Sequence, residues 1–328
     1  MFILKKSPDR DFIVLNLTDT QLSDAEWAEG HQNRLILERT IHELVERVKP
    51  DLITITGDLA WAGHDHAYDM LGNLLDSFGI PWAPVWGNHD NQNGSACIDA
   101  VAARYMQRKH CIYEKGDSAI GSGNYVIAIE EEGKIVEGLI MIDSHDRASY
   151  IAADGSEKSA WAKLIPPQVD WYKAQVEALR SLGCEDTAIF MHIPFYAYRF
   201  AYKAAYADSS EEARKALTVK DAVPGALCWN PGYEQSSGVM YEGIGSYEAD
   251  DGVFEAVKAA GTTTHVIVGH EHVNNFMIPY EGVKLIYALK TGAGCYWDPR
   301  LNGGTVIRIS GEGIKSVVHE YVDVSDLV

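Results

Sequence analysis

The chain has 328 residues, of which 46% are hydrophobic, and this is enough for one large α/β domain or two small ones with a sizeable core. Its 28 basic and 47 acidic side chains give a formal net charge of −19, and an acidic surface of this kind repels phosphate backbones and anionic lipid. We therefore expect neither a nucleic-acid partner nor a membrane partner.

The amino-terminal segment and the cysteines favour a cytoplasmic protein. The segment MFILKKSPDR has a short apolar start followed by charged residues, without the apolar core and cleavage site of a secretory signal. No run approaches about 18 uninterrupted apolar residues, so a spanning helix is not expected. The five cysteines, at 97, 111, 184, 228 and 295, are scattered and never form C-x-x-C, which favours reduced thiols over disulfides or a zinc knuckle.

Strand and helix patterns alternate through the first third of the chain. Residues 12–18 and 51–56 are predicted to be buried strands, and apolar residues recur at helical spacing across 31–48 between them. This is the pattern of a βαβ unit. A second helix over 66–78 and a strand over 82–86 extend it, as expected of a parallel sheet.

The rest of the chain mixes antiparallel and parallel patterns. An antiparallel hairpin is predicted over 124–142, a helix over 166–182 and a strand over 187–192. Residues 195–250 form a loop-rich excursion over the site, with one helix near 210–218. Five further strands are predicted over 264–269, 275–279, 283–288, 304–309 and 315–322. Because no linker or repeat interrupts the chain, we predict a single domain over 1–328.

Five polar segments directly follow predicted strands, and their side chains are suited to metal binding. In open α/β sheets, ligands gather at the carboxyl ends of strands. The donors are carboxylates, carboxamides and imidazoles without thiolates, a set that suits Mn, Fe, Zn or Mg better than a structural zinc site. Two metals about 3.5 to 4 Å apart need a bridging carboxylate, and Asp58 is the natural candidate. The segments are Asp19-Thr-Gln21, Gly57-Asp58, Gly87-Asn88-His89-Asp90, His192 and Gly269-His270-Glu271-His272.

In this order the motifs D-x-(H/Q), GD, GNHD, a strand-end His and GHxH resemble those of the calcineurin-like metallophosphoesterase superfamily, and they span residues 19–272. The stretch 269–276, with Asn230 and the Ser-Ser-Gly at 236–238, is similar to a branch named alongside the purple acid phosphatases of plants and fungi. The resemblance implies an α/β fold, a four-layer α/β/β/α sandwich with two mixed sheets.

The resemblance also implies two divalent metal ions and a role for each motif residue. His89 would face the phosphate and stabilise charge or protonate the leaving group, while Asp90 would orient His89 or the neighbouring backbone. A metal-bridging hydroxide would be the nucleophile. One metal would be held by Asp19, Gln21, Asp58 and His272, and the other by Asp58, Asn88, His192 and His270.

Two positions depart from the family pattern. Gln21 stands where His is usual, and its amide oxygen is a weaker donor for transition metals. Some manganese-dependent nucleotide-sugar and ADP-ribose pyrophosphatases of the superfamily carry Gln there, which favours Mn or Fe while leaving Zn and Mg open. Trp61 stands where purple acid phosphatases place a tyrosinate, so a purple, ferric enzyme is not predicted.

Four further residues are candidates for substrate binding. His64 and His66 follow the Asp58 turn and His145 follows a strand, although an exposed polar loop is an alternative interpretation for each. Arg199 offers a guanidinium for phosphate within an aromatic run at 195–202, which suits either a pocket wall or core packing.

We predict hydrolysis of a small-molecule phosphate monoester. A phosphodiesterase or nucleotide pyrophosphatase activity on the same centre remains an alternative, because loops and not metals select the leaving group. A non-catalytic protein-binding platform is the second alternative.

Overall fold

The computed structural model describes residues 1–92, 95–206 and 229–328 and contains two mixed β-sheets, a short two-stranded hairpin and the helices that pack on the sheets. In chain order the strands are β1 (Phe2–Lys5), β2 (Phe12–Leu17), β3 (Leu52–Thr56), β4 (Trp82–Val85), β5 (Tyr125–Glu131), β6 (Lys134–Met141), β7 (Arg147–Ile151), β8 (Glu157–Trp161), β9 (Thr187–Phe190), β10 (Thr263–Val268), β11 (Met277–Tyr280), β12 (Val283–Tyr287), β13 (Gly303–Ser310) and β14 (Gly313–Tyr321). The described α-helices are α1 (Gln32–Val48), α2 (Asp65–Ser77), α3 (Asn88–Asn91), α4 (Ser95–Tyr105), α5 (Pro166–Ser181), α6 (Ala197–Ala205) and α7 (Val253–Ala260).

The first sheet has the strand order β14-β13-β2-β3-β4 and contains the predicted βαβ unit. Strands β2, β3 and β4 run parallel, connected by α1 and α2, whereas β13 pairs antiparallel with β2. All five residues of β3 and all four of β4 are buried, as expected of strands covered on both faces. This sheet therefore brings the carboxyl ends of three parallel strands to one edge.

The second sheet has the order β1-β5-β6-β9-β10-β12-β11, in which β6, β9, β10 and β12 are parallel. The predicted hairpin is β5–β6, and its turn residues Glu132 and Gly133 have φ values of 51° and 88°. Positive φ at both central residues is the geometry whose twist matches a tight hairpin.

The sheets pack face to face and helices cover their outer faces, which gives the predicted four layers. In β5, Ile127 and Ile129 lie in the core that the two sheets share, while Val126 and Ala128 face the helical layer. On the outside of the first sheet, α1 buries Ile36, Leu37, Ile41 and Leu44. On the outside of the second, α5 buries Tyr172 and Val176 and α7 buries Val257.

The structure differs from the sequence prediction in the 195–250 excursion. The helix predicted near 210–218 lies outside the described residues, whereas α6 forms at Ala197–Ala205 in a stretch predicted as loop. Tyr198 is fully buried there and donates a hydrogen bond to the carbonyl oxygen of Val266 at 2.9 Å. The inner face of the aromatic run therefore packs in the core, which favours core packing over a pocket wall for these residues.

Several other elements were not predicted from the sequence: β1, the hairpin β7–β8, and the helices α4 and α7. Among the described residues, no helix is both long and apolar enough to cross a membrane. The described cysteines, Cys97, Cys111, Cys184 and Cys295, carry free thiols.

Candidate metal centre

The polar segments at the strand ends converge between the two sheets. Asp19 and Gln21 follow β2, Asp58 follows β3, and His270 follows β10, and all four residues have positive φ, at 54°, 47°, 50° and 82°. Such backbone costs energy in residues other than glycine and persists where the surroundings enforce it, as at functional sites. The strained backbone marks the edge at which the predicted ligands meet.

Three residues form the centre of this cluster. Ligand atoms of Asp19, Asp58 and His192 lie within 4.8 Å of one another, and all three side chains are buried. His192 Nε2 lies 3.3 Å from Asp58 Oδ2 and 3.0 Å from Asn88 Oδ1. The carboxylate of Asp58 thus contacts the ligand group predicted for one metal.

The same carboxylate also contacts the ligand group predicted for the other metal. Gln21 Nε2 lies 3.3 Å from Asp58 Oδ2, and His272 Nε2 lies 3.3 Å from Asp19 Oδ1. Asp58 therefore stands between the two groups, as a bridging ligand must.

Two buried oxygens in the cluster have no hydrogen-bond partner within the described residues: Asp19 Oδ1 and Gln21 Oε1. A buried polar atom without a partner costs about 1 to 3 kcal/mol, so native proteins rarely leave one unpaired. Both atoms belong to the predicted ligand set. The residues present therefore fit divalent cations, and the amide of Gln21 retains an oxygen that can act as a ligand.

Hydrogen bonds from the sheets fix the imidazoles. His192 Nδ1 lies 2.7 Å from the carbonyl oxygen of Thr56, and His272 Nδ1 lies 2.7 Å from that of Tyr296. Since a carbonyl only accepts, each Nδ1 donates its proton there, and each Nε2 is the ring nitrogen that faces the carboxylates. The ring of Tyr296 also stacks on His272, with centroids 4.1 Å apart.

His270 is held from a different side. Its Nε2 lies 3.6 Å from Oε1 of Glu271, and this carboxylate accepts hydrogen bonds from the hydroxyl of Tyr287 and the backbone N–H of Gly245. The His270 ring also lies edge-on to Trp161, with centroids 4.4 Å apart.

The buried carboxylates of the cluster are stabilised by positive charge. Burial opposes ionisation of Asp19 and Asp58, but the neighbouring histidines, His272 and His192 for Asp19 and His192 for Asp58, hold the pKa of each carboxyl below its usual value. Burial opposes protonation of His192, yet Asp58 and Asp19 raise its pKa to about 10. Two ionised carboxylates in a buried site are stable only beside cations.

Lys290 supplies one fixed cation behind the cluster. Its buried Nζ donates a 2.6 Å hydrogen bond to the carbonyl oxygen of Asp19, and burial lowers its pKa to about 8. This hydrogen bond joins the segment after β12 to Asp19, the residue with positive φ after β2.

His89 lies at the cluster without belonging to its ligand groups. Its backbone N–H donates to Asp58 Oδ1 at 2.8 Å, its Nε2 lies 4.0 Å from Asp58 Oδ2, and its ring contacts Trp61 at 4.3 Å between centroids. The side chain is 24% exposed, so it is the predicted site residue that faces both the centre and the solvent. Trp61 donates its indole N–H to the carbonyl oxygen of Gln21 at 3.0 Å.

Asp90 is placed behind His89 and binds backbone. Its buried carboxylate accepts hydrogen bonds from the N–H groups of Gly87 and Leu59 and from the hydroxyl of Tyr68. Burial, and then the charge of Asp58, raise its pKa to about 7. The structure thus places Asp90 where it joins the loops after β3 and β4.

None of the four predicted substrate residues contacts a predicted metal ligand in the part of the chain that the structure describes. His64 precedes α2 and accepts a hydrogen bond from the N–H of Asp24, and His66 is exposed. His145 Nε2 lies 2.8 Å from Gln168 Oε1. The guanidinium of Arg199 donates to the hydroxyl and the carbonyl oxygen of Ser246.

Arg147 and Trp161, on the hairpin β7–β8, were not predicted, and the structure places them beside the centre. The sequence signal for this hairpin is the Asp154-Gly155 pair, which is common in tight turns. Most side chains of both strands are exposed or half-buried, so the hydrophobic periodicity is weak.

Comparison with known proteins agrees with this architecture. The model of the calcineurin-like phosphoesterase family matches residues 13–274, and the chain belongs to this family. It is 25% identical to the probable inactive purple acid phosphatase 14 of Arabidopsis thaliana, over 93% of the chain and 76% of that protein. It is 24% identical to the probable inactive purple acid phosphatase 28 of the same plant, covering 80% of the chain but only 63% of the relative.

A solved structure supports the fold alone. The crystal structure of a dimetal phosphatase from Danio rerio superposes with a TM-score of 0.56 at 14% identity, covering 95% of this chain and 99% of that one. The α/β sandwich of the family is thus shown, and the chain carries a candidate site for the two metals on which the family depends.

If the cluster binds divalent cations, metal should stabilise the fold. At a free metal concentration 100 times the dissociation constant, binding to the native state alone adds about 2.7 kcal/mol to the free energy of unfolding. We expect adding Mn to the chelator-treated protein to raise the melting temperature by several degrees in differential scanning fluorimetry. An equal rise in an Asp58→Asn variant would show that the effect does not arise at this cluster.

Proposed function

We propose that the chain is an active two-metal phosphoesterase whose first substrate class is the phosphate monoester of a small molecule. The observation that carries the proposal is the convergence of buried ligand atoms of Asp19, Asp58 and His192 within 4.8 Å of one another, beside two buried donor oxygens that are unpaired among the described residues. The proposal includes Mn or Fe as the metals, because Gln21 offers an oxygen where a nitrogen is usual in the family. It also includes the cytoplasm as the compartment, which free thiols favour.

The chain's own residues would divide the work of hydrolysis. When bound, the two cations supply charge neutralisation at the phosphate and make water a better nucleophile. Asp58 fixes the position of His89 through its backbone N–H, and Trp61 fixes the plane of the His89 ring. A partly exposed imidazole beside the centre can hydrogen-bond a phosphate oxygen or give its proton to the departing oxygen.

The plant relatives whose names call them inactive raise the alternative of a binding platform. Here the predicted ligands and His89 are all present, and among the predicted metal ligands only Gln21 departs from the family's residue types. Retention of the groups that would hold the metals and face the phosphate favours the enzyme over the platform. A purified protein with only trace metal, and with no gain of activity or stability when Mn is added, would support the platform and overturn the enzyme proposal.

The substrate class is tested by comparing an aryl phosphate monoester with an aryl phosphodiester that has the same leaving group. Each is offered to the chelator-treated protein with Mn, Fe(II), Zn or Mg in turn, and the Asp58→Asn variant reports contaminating phosphatases. We expect kcat/KM to be higher for the monoester, and Mn or Fe(II) to restore the most activity. Preference for the diester would instead support the phosphodiesterase alternative.

A further inference from the structure

The hairpin β7–β8 brings a guanidinium close to the metal centre. The guanidinium carbon of Arg147 lies 4.1 Å from the ring centroid of Trp161, and that ring lies 4.4 Å from the ring of His270. The two distances place the Arg147 charge no farther than about 9 Å from a predicted metal ligand. This spacing lets one small substrate reach both.

Trp161 is held tightly enough to fix the position of the arginine. A Cβ atom at Gly245 would lie 2.9 Å from both Trp161 Nε1 and His270 Nε2, so only glycine lets this loop pack against the two rings. The base of the hairpin is closed by a 3.0 Å hydrogen bond from the N–H of Ala162 to the carbonyl oxygen of Asp146. The indole therefore has little room to move.

Among the described residues, no hydrogen bond or salt bridge occupies the N–H groups of Arg147. Stacking on an indole uses the face of the guanidinium and leaves its five in-plane N–H donors at the edge. The side chain is exposed, and its guanidinium forms no salt bridge with any carboxylate in the ranges 1–92, 95–206 and 229–328. Its charge acts on the carboxyl of Asp146, the preceding residue, without forming a salt bridge with it.

A second cation, Lys163, follows the last strand of the hairpin. Lys163 Nζ lies 4.5 Å from the ring centroid of Tyr247, and Tyr247 also contacts Tyr150 of β7 at 6.2 Å between centroids. Tyr150 and Arg147 alternate to opposite faces of β7, so Lys163 is held over a different ring system and the anion site described below uses Arg147.

We propose that Arg147, stacked on Trp161, binds a second anionic group of the substrate while the scissile phosphate lies at the metal centre. This inference rests on the proposed function and narrows its substrate class to phosphate esters that carry a further carboxylate or phosphate. A planar guanidinium binds either oxyanion through two parallel hydrogen bonds. Charged hydrogen bonds of this kind contribute enough to change affinity about tenfold or more.

The experiment uses three esters with similar leaving groups: phenyl phosphate, 4-carboxyphenyl phosphate and 1,4-phenylene bisphosphate. We expect the metal-loaded wild type to favour the two doubly anionic esters by about tenfold in kcat/KM, and Arg147→Ala to lose this preference while hydrolysing phenyl phosphate as before. Arg147→Lys should keep part of it, because an ammonium is a point charge. Comparing the two doubly anionic esters identifies which oxyanion is bound.

Lys158→Ala is the matched control, since it removes one exposed cation from the same hairpin near its turn. It should keep the wild-type preference. Equal loss on all three esters in Arg147→Ala, or an unchanged preference, would overturn the second-anion site.

A binding measurement separates this inference from the proposed function. Isothermal titration of the Mn-loaded protein with benzylphosphonate and 4-carboxybenzylphosphonate needs no turnover. Tighter binding of the carboxylated compound by the wild type, lost in Arg147→Ala, supports the inference even if none of the esters is hydrolysed, a result that would refute only the phosphoesterase proposal. Equal binding of the two phosphonates would refute the inference and leave phosphoesterase activity intact.

Discussion

Substituting Asp58 by Asn should release both metal ions and lower kcat at least about 1,000-fold, since the two cations supply several kcal/mol of charge stabilisation in the transition state. Asp58 Oδ2 lies 3.3 Å from both His192 Nε2 and Gln21 Nε2, so one carboxylate serves both ligand groups. An amide keeps the shape of the side chain but loses its charge. Neither group is then expected to hold its cation.

Metal content per chain, measured by inductively coupled plasma mass spectrometry, tests this prediction directly. Asp326→Asn is the control, because Asp326 is exposed and pairs only with Arg39 among the described residues. The metal-free forms of Asp58→Asn and the wild type should melt at similar temperatures, since the variant removes a buried charge that costs desolvation energy. Two metals retained by Asp58→Asn would exclude Asp58 as the bridge.

The parts of the fold that sequence predicts well are those in which local pattern and burial agree. Strand β3 is apolar or β-branched throughout and fully buried, and the helix that follows β2 repeats apolar residues at 3.6 spacing. Once these strands are parallel, the residues after them must share an edge of the sheet. The proximity of Asp19 and Asp58 therefore follows from strand order and polarity, whereas His192 follows β9 of the second sheet and reaches them because the two sheets pack face to face.

The surroundings of the centre depend on contacts that no local pattern contains. Trp161 meets His270 from a hairpin distant in sequence, and Lys290 hydrogen-bonds the backbone of Asp19 across 271 residues. At Arg199 a local pattern was misleading, because an arginine within an aromatic run suggested a residue that binds phosphate. Its guanidinium instead binds Ser246, and its neighbour Tyr198 packs in the core.

His89→Ala should lower kcat by about 100- to 10,000-fold, the usual range for loss of a general acid or base, while leaving the metal content unchanged. The ring of His89 belongs to neither ligand group, and the bond that holds the residue to Asp58 comes from its backbone N–H, which alanine keeps. The His42→Ala variant, altered at an exposed position on α1, should match the wild type in both measurements.

The leaving group separates the two roles open to His89. If its imidazole protonates the departing oxygen, the loss in kcat should be much larger for an alkyl phosphate than for 4-nitrophenyl phosphate, whose phenolate departs without a proton. If the imidazole stabilises charge on the phosphate, both substrates should lose the same factor. If the His89→Ala variant lost metal in parallel with activity, His89 would belong to the metal ligands. The structure argues against this, because the Nε2 of His89 lies 4.0 Å from Asp58 Oδ2 and its ring packs on Trp61.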